Sequence, residues 1–209
     1  MTDTYLKVVL LGDSGVGKTS IIMRFLKGFF KDNSNSTIGV NSLDKTIKKG
    51  NKKYTLNIFD TAGQEKYRSI TKNFYRDAYI ILLVYDITSQ ITFDNLKEQW
   101  YPDVKLYAEN CIILGIVGNK IDLFENDGAV DEDEAKKFAH EIGAIFYLVS
   151  AKGGDNILNL FDGFLNKFLE DDVQEKYQKI QRNKTFDSSY QLEKHKLKKK
   201  KKMDKTCCK

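Results

Sequence analysis

Apolar residues gather in four short runs, Tyr5–Leu11, Ile80–Tyr85, Ile112–Val117 and Ala144–Val149. These runs are rich in β-branched side chains and do not alternate with polar ones, the pattern of strands buried on both faces of a parallel sheet. Between them the apolar spacing lengthens to that of amphipathic helices over Ser20–Leu26, Phe93–Tyr107, Asp131–Ile142 and Asn156–Leu169. Asp131 and Glu134 are spaced as a capping box at the start of the third. Tyr54–Phe59 alternates apolar with polar residues and, across Gly50-Asn51, faces Thr46–Lys48, which reads as an antiparallel hairpin at the sheet edge. The expected architecture is a doubly wound α/β domain over residues 1–170, with a mostly parallel six-stranded sheet and one antiparallel edge strand. After that Gln, Lys, Asp and Ser dominate, so residues 171–209 are expected to be a flexible tail, disordered from Gln174 after a frayed helix end.

Composition changes this picture in one place. The chain has 209 residues and a net charge of +5, but Gln191–Lys209 carries nine Lys against Glu193 and Asp204. That local excess of +7 leaves the rest of the chain at −2. A near-neutral body with a cationic end points to an anionic surface as partner. Cys111 opens an apolar run and is expected to be a buried core thiol, whereas Cys207 and Cys208 stand side by side near the end. No disulfide framework is readable. Met1–Leu6 has no basic segment followed by an apolar run, and the longest apolar stretch, Ala78–Tyr85, is too short to span a bilayer. Folding in the cytosol is expected.

The chemistry begins directly after the first apolar run, where Gly12 to Thr19 reads Gly-Asp-Ser-Gly-Val-Gly-Lys-Thr. This is the spacing of a phosphate-binding loop: glycines let backbone N–H groups turn inward around an anion, a curvature that side chains at Gly15 and Gly17 would obstruct. Lys18 can reach the β/γ-phosphates as a point charge, and Thr19 offers a hydroxyl to Mg²⁺. The helix from Ser20 presents unpaired N–H groups and its positive dipole end to the phosphates. Asp13, Ser14, Gly15, Val16, Gly17, Lys18, Thr19 and Ser20 are thus the expected contacts on the phosphate side.

Four further groups stand at strand ends, where open α/β sheets bind ligands. Asp60-Thr61-Ala62-Gly63-Gln64-Glu65 follows the strand ending at Phe59. Asp60 is placed to hold Mg²⁺ through a water, Gly63 to present its N–H to a γ-phosphate, and Gln64 to orient an attacking water. Asn119-Lys120-Ile121-Asp122 follows another strand. The Asp122 carboxylate can accept from N1–H and the exocyclic amine of guanine, a donor pair that adenine lacks, so ATP would leave it unpaired. Ser150-Ala151-Lys152 lies on the same edge, with the Ala151 N–H placed for guanine O6. Thr37, in a loop rich in Asn and Ser, can complete a Mg²⁺ shell while a γ-phosphate holds the loop in. Phe30 is a candidate edge or face for the guanine ring, with Phe29 competing for that place and core packing open for either. Lys18, Thr37 and Gln64 are the expected catalytic residues.

With these motifs in place the chain resembles the Ras superfamily of small GTPases, and within it the Rab family, over about Tyr5–Glu170 and again at its last residues. The resemblance is carried by Gly-Asp-Ser-Gly in the phosphate loop, Ser36-Thr37-Ile38-Gly39-Val40, Lys66-Tyr67-Arg68-Ser69-Ile70-Thr71, Phe74-Tyr75-Arg76 and Leu83-Val84-Tyr85-Asp86-Ile87-Thr88. It implies a monomeric P-loop GTPase that binds GTP or GDP with Mg²⁺, recruits effectors when GTP-loaded, and releases Thr37 and Gly63 on hydrolysis. It also implies an exchange factor, an activating protein, and a GDP-dissociation inhibitor or prenylation escort. The chain departs from the family pattern at Asn41-Ser42, where Asp-Phe is usual, at Phe59 in place of Trp, and at Ser34 in place of Tyr. Arg24 lies on the first helix and Arg68 and Arg76 on the second, so no Arg is placed to stabilise the transition state in cis. Hydrolysis is expected to be slow until an activating protein supplies that charge, worth about 10³ to 10⁵ in rate.

Lys198–Lys202 and the terminal Thr-Cys-Cys-Lys leave three readings: a solvated tail, a nuclear or nucleic-acid address, or a membrane anchor. The C-a-a-X position is Thr206, not Cys, which disfavours ordinary farnesylation. The resemblance implies instead that Cys207 and Cys208 carry two geranylgeranyl groups, which with the lysines would hold the chain at the cytoplasmic face of an endomembrane, beside a cytosolic pool. The expected activity is a GTPase switch in vesicle traffic with no nucleic-acid partner. The alternative is a soluble nucleotide-gated carrier acting in nuclear or RNA transport through its Lys tail, and a metabolic kinase ranks third.

Overall fold

The computed structural model describes residues 3–30, 40–61, 74–124 and 130–184. The chain divides into two units, Met1–Phe168 and Leu169–Lys209. The first holds a six-stranded sheet built from β1 (Thr4–Leu11), β2 (Val40–Lys49), β3 (Lys52–Thr61), β4 (Ile80–Asp86), β5 (Ile113–Asn119) and β6 (Ile145–Val149). Its order is β2-β3-β1-β4-β5-β6. Neighbours pair in parallel except β2 with β3, which are antiparallel across the Gly50-Asn51 turn. The mostly parallel sheet with one antiparallel edge strand is the expected fold, though the hairpin arms are longer than the alternation alone reveals.

All seven residues of the central strand β4 are buried, as its unbroken apolar run requires. The run at β6 fares differently: Ile145 to Leu148 are only half-buried. β6 closes the sheet at one edge, so its run reflects a parallel neighbour on one side rather than full enclosure. Cys111 is likewise partly buried rather than fully enclosed, packing against the core with its thiol directed to the Ile113 carbonyl at 3.3 Å. Burial of the sulfur pushes the thiol up to about 12.

Helices cover both faces. On one, α1 (Lys18–Lys27) buries Ile21, Ile22 and Phe25, and Phe25 stacks on Phe161 with centroids 3.7 Å apart. On the other, a helix we label α2 runs without interruption through Gln90–Asn95, the π-helical segment Leu96–Trp100, and Tyr101–Tyr107. Beside it α3 (Glu132–Glu141) brings Phe138 edge-on to Phe93 and Tyr101. The last helix of this unit is α4 (Ile157–Phe168), which buries Leu160, Phe161, Phe164, Leu165 and Phe168. Asp131 caps α3 by accepting from the Asp133 N–H at 2.8 Å. The reciprocal half of the expected capping box yields to tertiary structure, because Glu134 takes Lys97 of α2 at 2.7 Å.

In the second unit residues 171–184 form a helix. This corrects the expectation of disorder over residues 174–184; the rest of the expected tail lies outside the described residues. The stretch contains neither Gly nor Pro, is rich in Gln and Lys, and carries Asp171 and Asp172 at its start, where acidic side chains favour the helix dipole. High polarity alone does not imply disorder, because these polar residues are good helix formers. No helix among the described residues is long and apolar enough to cross a membrane.

Candidate functional site

The register of the parallel strands aligns their C-terminal ends on one edge. Leu10 lies opposite Asp60, Leu11 opposite Leu83, Asp86 opposite Asn119, and Asn119 opposite Val149. Every chemical group read at a strand end that lies among the described residues therefore emerges on the same rim.

The loop from β1 to α1 is shaped by its backbone. Gly15 and Gly17 have φ of +81° and +96°. A Cβ at Gly17 would stand 2.2 Å from Asn119 Nδ2, so steric exclusion operates there as expected. At Gly15 a Cβ would meet nothing within 4 Å, so the protein itself does not obstruct it; the restriction there is the left-handed backbone. Gly17 is the N-cap of α1 and supplies no side-chain cap, and the first turn contains no acidic residue. The positive end of the helix is thus left to whatever anion enters the loop. Ser14 and Gly15 are exposed at its tip, while Val16 is fully buried and pins the loop to the core.

Lys18 leaves the first helical turn and doubles back, donating to the Gly12 carbonyl at 2.8 Å and the Asp13 carbonyl at 2.7 Å. Only 5% of the residue is exposed. Burial pushes its ammonium down to about 8, although the Asp60 and Asp13 carboxylates oppose that shift. Thr19 Oγ1 donates to Asp60 Oδ2 at 2.8 Å, and Asp60 is itself buried. A hydroxyl and a carboxylate in contact, beside a phosphate loop, form an all-oxygen donor set that suits the hard Mg²⁺ ion. Ser20 continues α1, half-buried.

Asn119 ties two loops together. Its Nδ2 donates to the Val16 carbonyl at 2.9 Å, and its Oδ1 accepts from the Ala151 N–H at 3.1 Å. It is therefore a brace inside the protein, 1% exposed. Asp122 sits in a short 3₁₀ turn, Ile121–Leu123, and its Oδ1 accepts from Ser150 Oγ at 2.5 Å; Ser150 in turn accepts from the Gly153 N–H at 2.8 Å. The carboxylate keeps acceptor capacity beyond that bond. Ala151 is buried and Lys152 exposed. Phe29 is 44% exposed beneath Lys27 Nζ, while Phe30 is half-buried. Thr37, Gly63, Gln64, Cys207 and Cys208 lie outside the described residues, as do Ser34 and Arg68.

Four residues of this region carry no role in the sequence reading. Arg24 donates to the carbonyls of Ala151 (2.8 Å), Gly28 (2.9 Å) and Lys152, fastening α1 to the loop after β6. It is occupied in holding backbone. Asp86 pairs with Lys120 at 2.5 Å, and Lys120 has φ of +74°, so the ion pair holds a left-handed backbone just before Asp122. Asn95 and Trp100 of α2 both donate to the Asp13 carboxylate. Asp86 stands at a strand end like the other site residues, a signal that position alone could have supplied; Asn95 and Trp100 gave none.

Comparison with known proteins agrees with this geometry. The model of the Ras family matches residues 7–170. The chain is 40% identical over 171 residues to the Ras-related protein Rab-1 of Theileria parva, covering 82% of this chain and 77% of that protein. It is 44% identical over 170 residues to the Ras-related protein RABC1 of Arabidopsis thaliana, with 80% and 79% covered. To the human Ras-related protein Rab-30 it is 42% identical over 159 residues, with 76% and 77% covered.

Proposed function

This chain belongs to the Ras family of small GTPases, in its Rab branch, and from that membership we propose that it is a prenyl-anchored guanine-nucleotide switch directing vesicle traffic. The family carries the coarser facts: a GTP-hydrolysing enzyme that binds GTP or GDP with Mg²⁺, works as a switch in membrane traffic, and meets exchange factors, activating proteins, GDP-dissociation inhibitors and effectors. The observation that carries the proposal is the convergence of Lys18, Thr19, Asp60, Asn119, Asp122 and Ala151 on one rim of the sheet.

In this reading the N–H groups from Ser14 to Thr19 and the Lys18 ammonium bind the phosphates, and Thr19 and Asp60 hold Mg²⁺ with Thr37. When bound, the ion neutralises charge on the β- and γ-phosphoryl oxygens. Asp122 selects guanine, the Ala151 N–H meets O6, and Asn119 fixes both loops at the spacing the nucleotide needs. Gln64 orients the water whose oxygen bonds to the γ-phosphorus as the bond to the β-phosphate oxygen breaks, giving GDP and phosphate. Among the described arginines, Arg24 is held by backbone carbonyls, in keeping with slow hydrolysis until an activating protein donates a cation.

The depressed Lys18 gives this reading a pH dependence. Phosphates would draw its pKa back up, so binding takes up a proton once the empty site has begun to lose it. GDP affinity should therefore fall above about pH 8, by up to about tenfold per unit. Folding responds with the opposite sign: between about 8 and the ordinary 10.5 the unfolded chain binds more protons, so Lys18 contributes rising stability to the empty domain. Titration calorimetry of GDP from pH 7 to 9.5 checks the first trend; a flat affinity would contradict it.

Two lipid chains, or one with a polybasic patch, anchor stably, and Cys207-Cys208 with Lys198–Lys202 supply both devices. The test images an N-terminally tagged chain beside its Cys207→Ser/Cys208→Ser double variant. The wild type should mark a discrete membrane compartment and the variant should be diffuse. If both are diffuse or nuclear, the soluble carrier replaces the anchored switch.

A further inference from the structure

The phosphate loop contains an acidic side chain, Asp13, one residue from where a polyanion must sit, and the fold deals with it by a specific contact. Asn95 Nδ2 donates to Asp13 Oδ2 at 2.7 Å and Trp100 Nε1 donates to Asp13 Oδ1 at 2.7 Å. Each carboxylate oxygen thus has its own donor from α2. The Asn95 amide is oriented for this by Gln99, whose Nε2 donates to Asn95 Oδ1 at 2.8 Å and so leaves the Asn95 NH₂ facing Asp13. The same residue's backbone carbonyl receives Lys18 Nζ at 2.7 Å, so whatever fixes Asp13 also fixes one anchor of the ammonium.

An ordinary α-helix could not make this pair of contacts. Residues five apart lie about 140° around its axis, facing different neighbours. Between Asn95 and Trp100 the helix is π-helical, and the Tyr101 N–H reaches back five residues to the Leu96 carbonyl. The wider turn swings position i+5 most of the way back toward position i, placing both donors on the side that meets the loop. Such a turn is less favourable than the α-helix it interrupts, and the paired contact to a charged carboxylate offsets that cost.

The geometry points to Asn95 and Trp100 as positioning residues for nucleotide binding: through Asp13 they turn a negative charge away from the phosphates and set the loop that holds Lys18. The inference rests on the guanine-nucleotide reading above and adds α2 to the elements that govern nucleotide residence. Freed from its two donors, the Asp13 carboxylate could turn toward the phosphates, and repulsion would speed their departure.

The test measures release of a fluorescent GDP analogue from the full chain with Mg²⁺ present. Trp100→Phe keeps an aromatic ring in the core and removes the N–H donor together with part of the indole's volume, a packing loss that the control below accounts for. It should accelerate release about 3- to 10-fold, a fraction of what a hydrogen bond to a charged group is worth, since only its difference between loaded and empty loop counts. Asn95→Leu should act in the same direction. In an Asp13→Asn background the carboxylate charge is gone, so adding Trp100→Phe should change release little. Phe164→Leu, a core change on the opposite face of the sheet, controls for general destabilisation and should lower Tm without altering release. Trp100 is the only tryptophan, so its indole gives one ¹H–¹⁵N cross-peak, which should move upfield in Asp13→Asn. The inference is overturned if Trp100→Phe alters release no more than Phe164→Leu does, if its effect persists undiminished in Asp13→Asn, or if the indole peak stays put. Failure of the wild type to bind GDP at all would instead sink the nucleotide reading.

Discussion

Lys18→Met is expected to lower GDP and GTP affinity by about two to four orders of magnitude while leaving the empty domain as stable as before, or more so. The two halves of that result have one cause. The ammonium is 5% exposed and its pKa is pushed down to about 8, so the fold holds it in its charged form at a cost. Two backbone carbonyls, Gly12 and Asp13, accept its protons, and the Asp60 and Asp13 carboxylates supply part of the compensation. Met keeps the length of the stem and removes the charge, relieving the desolvation and forfeiting two hydrogen bonds, terms of opposite sign and similar size. Bound phosphate changes the comparison, because there the ammonium gains a full counter-charge in a partly dry site, and removing one partner of such a pair costs about 3–5 kcal/mol. Affinity by titration calorimetry and Tm of the nucleotide-free protein distinguish the outcomes. A parallel fall in both would mean that Lys18 is chiefly structural, and the phosphate-loop reading would lose its main electrostatic element.

What could be read from the chain in advance depended on how local the physics was. β1, β4 and β5 were legible because an unbroken apolar run has few other fates, and the phosphate loop because its glycines, Lys18 and Thr19 must be adjacent to work. β6 was placed correctly but its exposure was not, since an edge position is decided by sheet order, which a single run does not encode. The helix over residues 171–184 was not legible because polar composition alone does not separate a disordered tail from an exposed helix, and Gln and Lys are good helix formers. The capping partner of Asp131 was misassigned for a tertiary reason: Lys97, thirty-seven residues away, outcompetes it for Glu134. The same distance problem hid the most informative contacts. Nothing near Asp13 announces Asn95 and Trp100, and the π-helical segment that aligns them follows from no propensity; the register of β1 against β4 and the packing of α2 bring them together. Asn119, expected as a nucleotide contact, also braces two loops of the protein, a tie between distant segments that its motif does not announce.

Asp122→Ala is expected to erase discrimination between guanine and adenine nucleotides, cutting GDP affinity by about 10³- to 10⁴-fold while ADP, which no longer leaves an acceptor unpaired, binds no worse than to the wild type. A pocket built around hydrogen bonds rejects a ligand that cannot make them because its own polar groups then go unsatisfied, and the proposed reading assigns that rejection to Asp122. Its carboxylate is held on one side by Ser150 Oγ at 2.5 Å, and Ser150 is held by the Gly153 N–H at 2.8 Å. Behind it, Lys120 keeps a left-handed backbone through its pair with Asp86 at 2.5 Å. The acceptor therefore arrives oriented, and little entropy is lost in ordering it when a base enters. Removing the support rather than the acceptor separates the two contributions. Ser150→Ala leaves the carboxylate in place but unsteadied, and should weaken GDP by about tenfold, the worth of one hydrogen bond to a charged group, with guanine preference retained. Competition of GDP and ADP against a fluorescent guanine nucleotide reads both variants. If Asp122→Ala still prefers guanine by several orders of magnitude, selectivity lies elsewhere on the rim, and the Ala151 N–H, held against Asn119, becomes the residue to test.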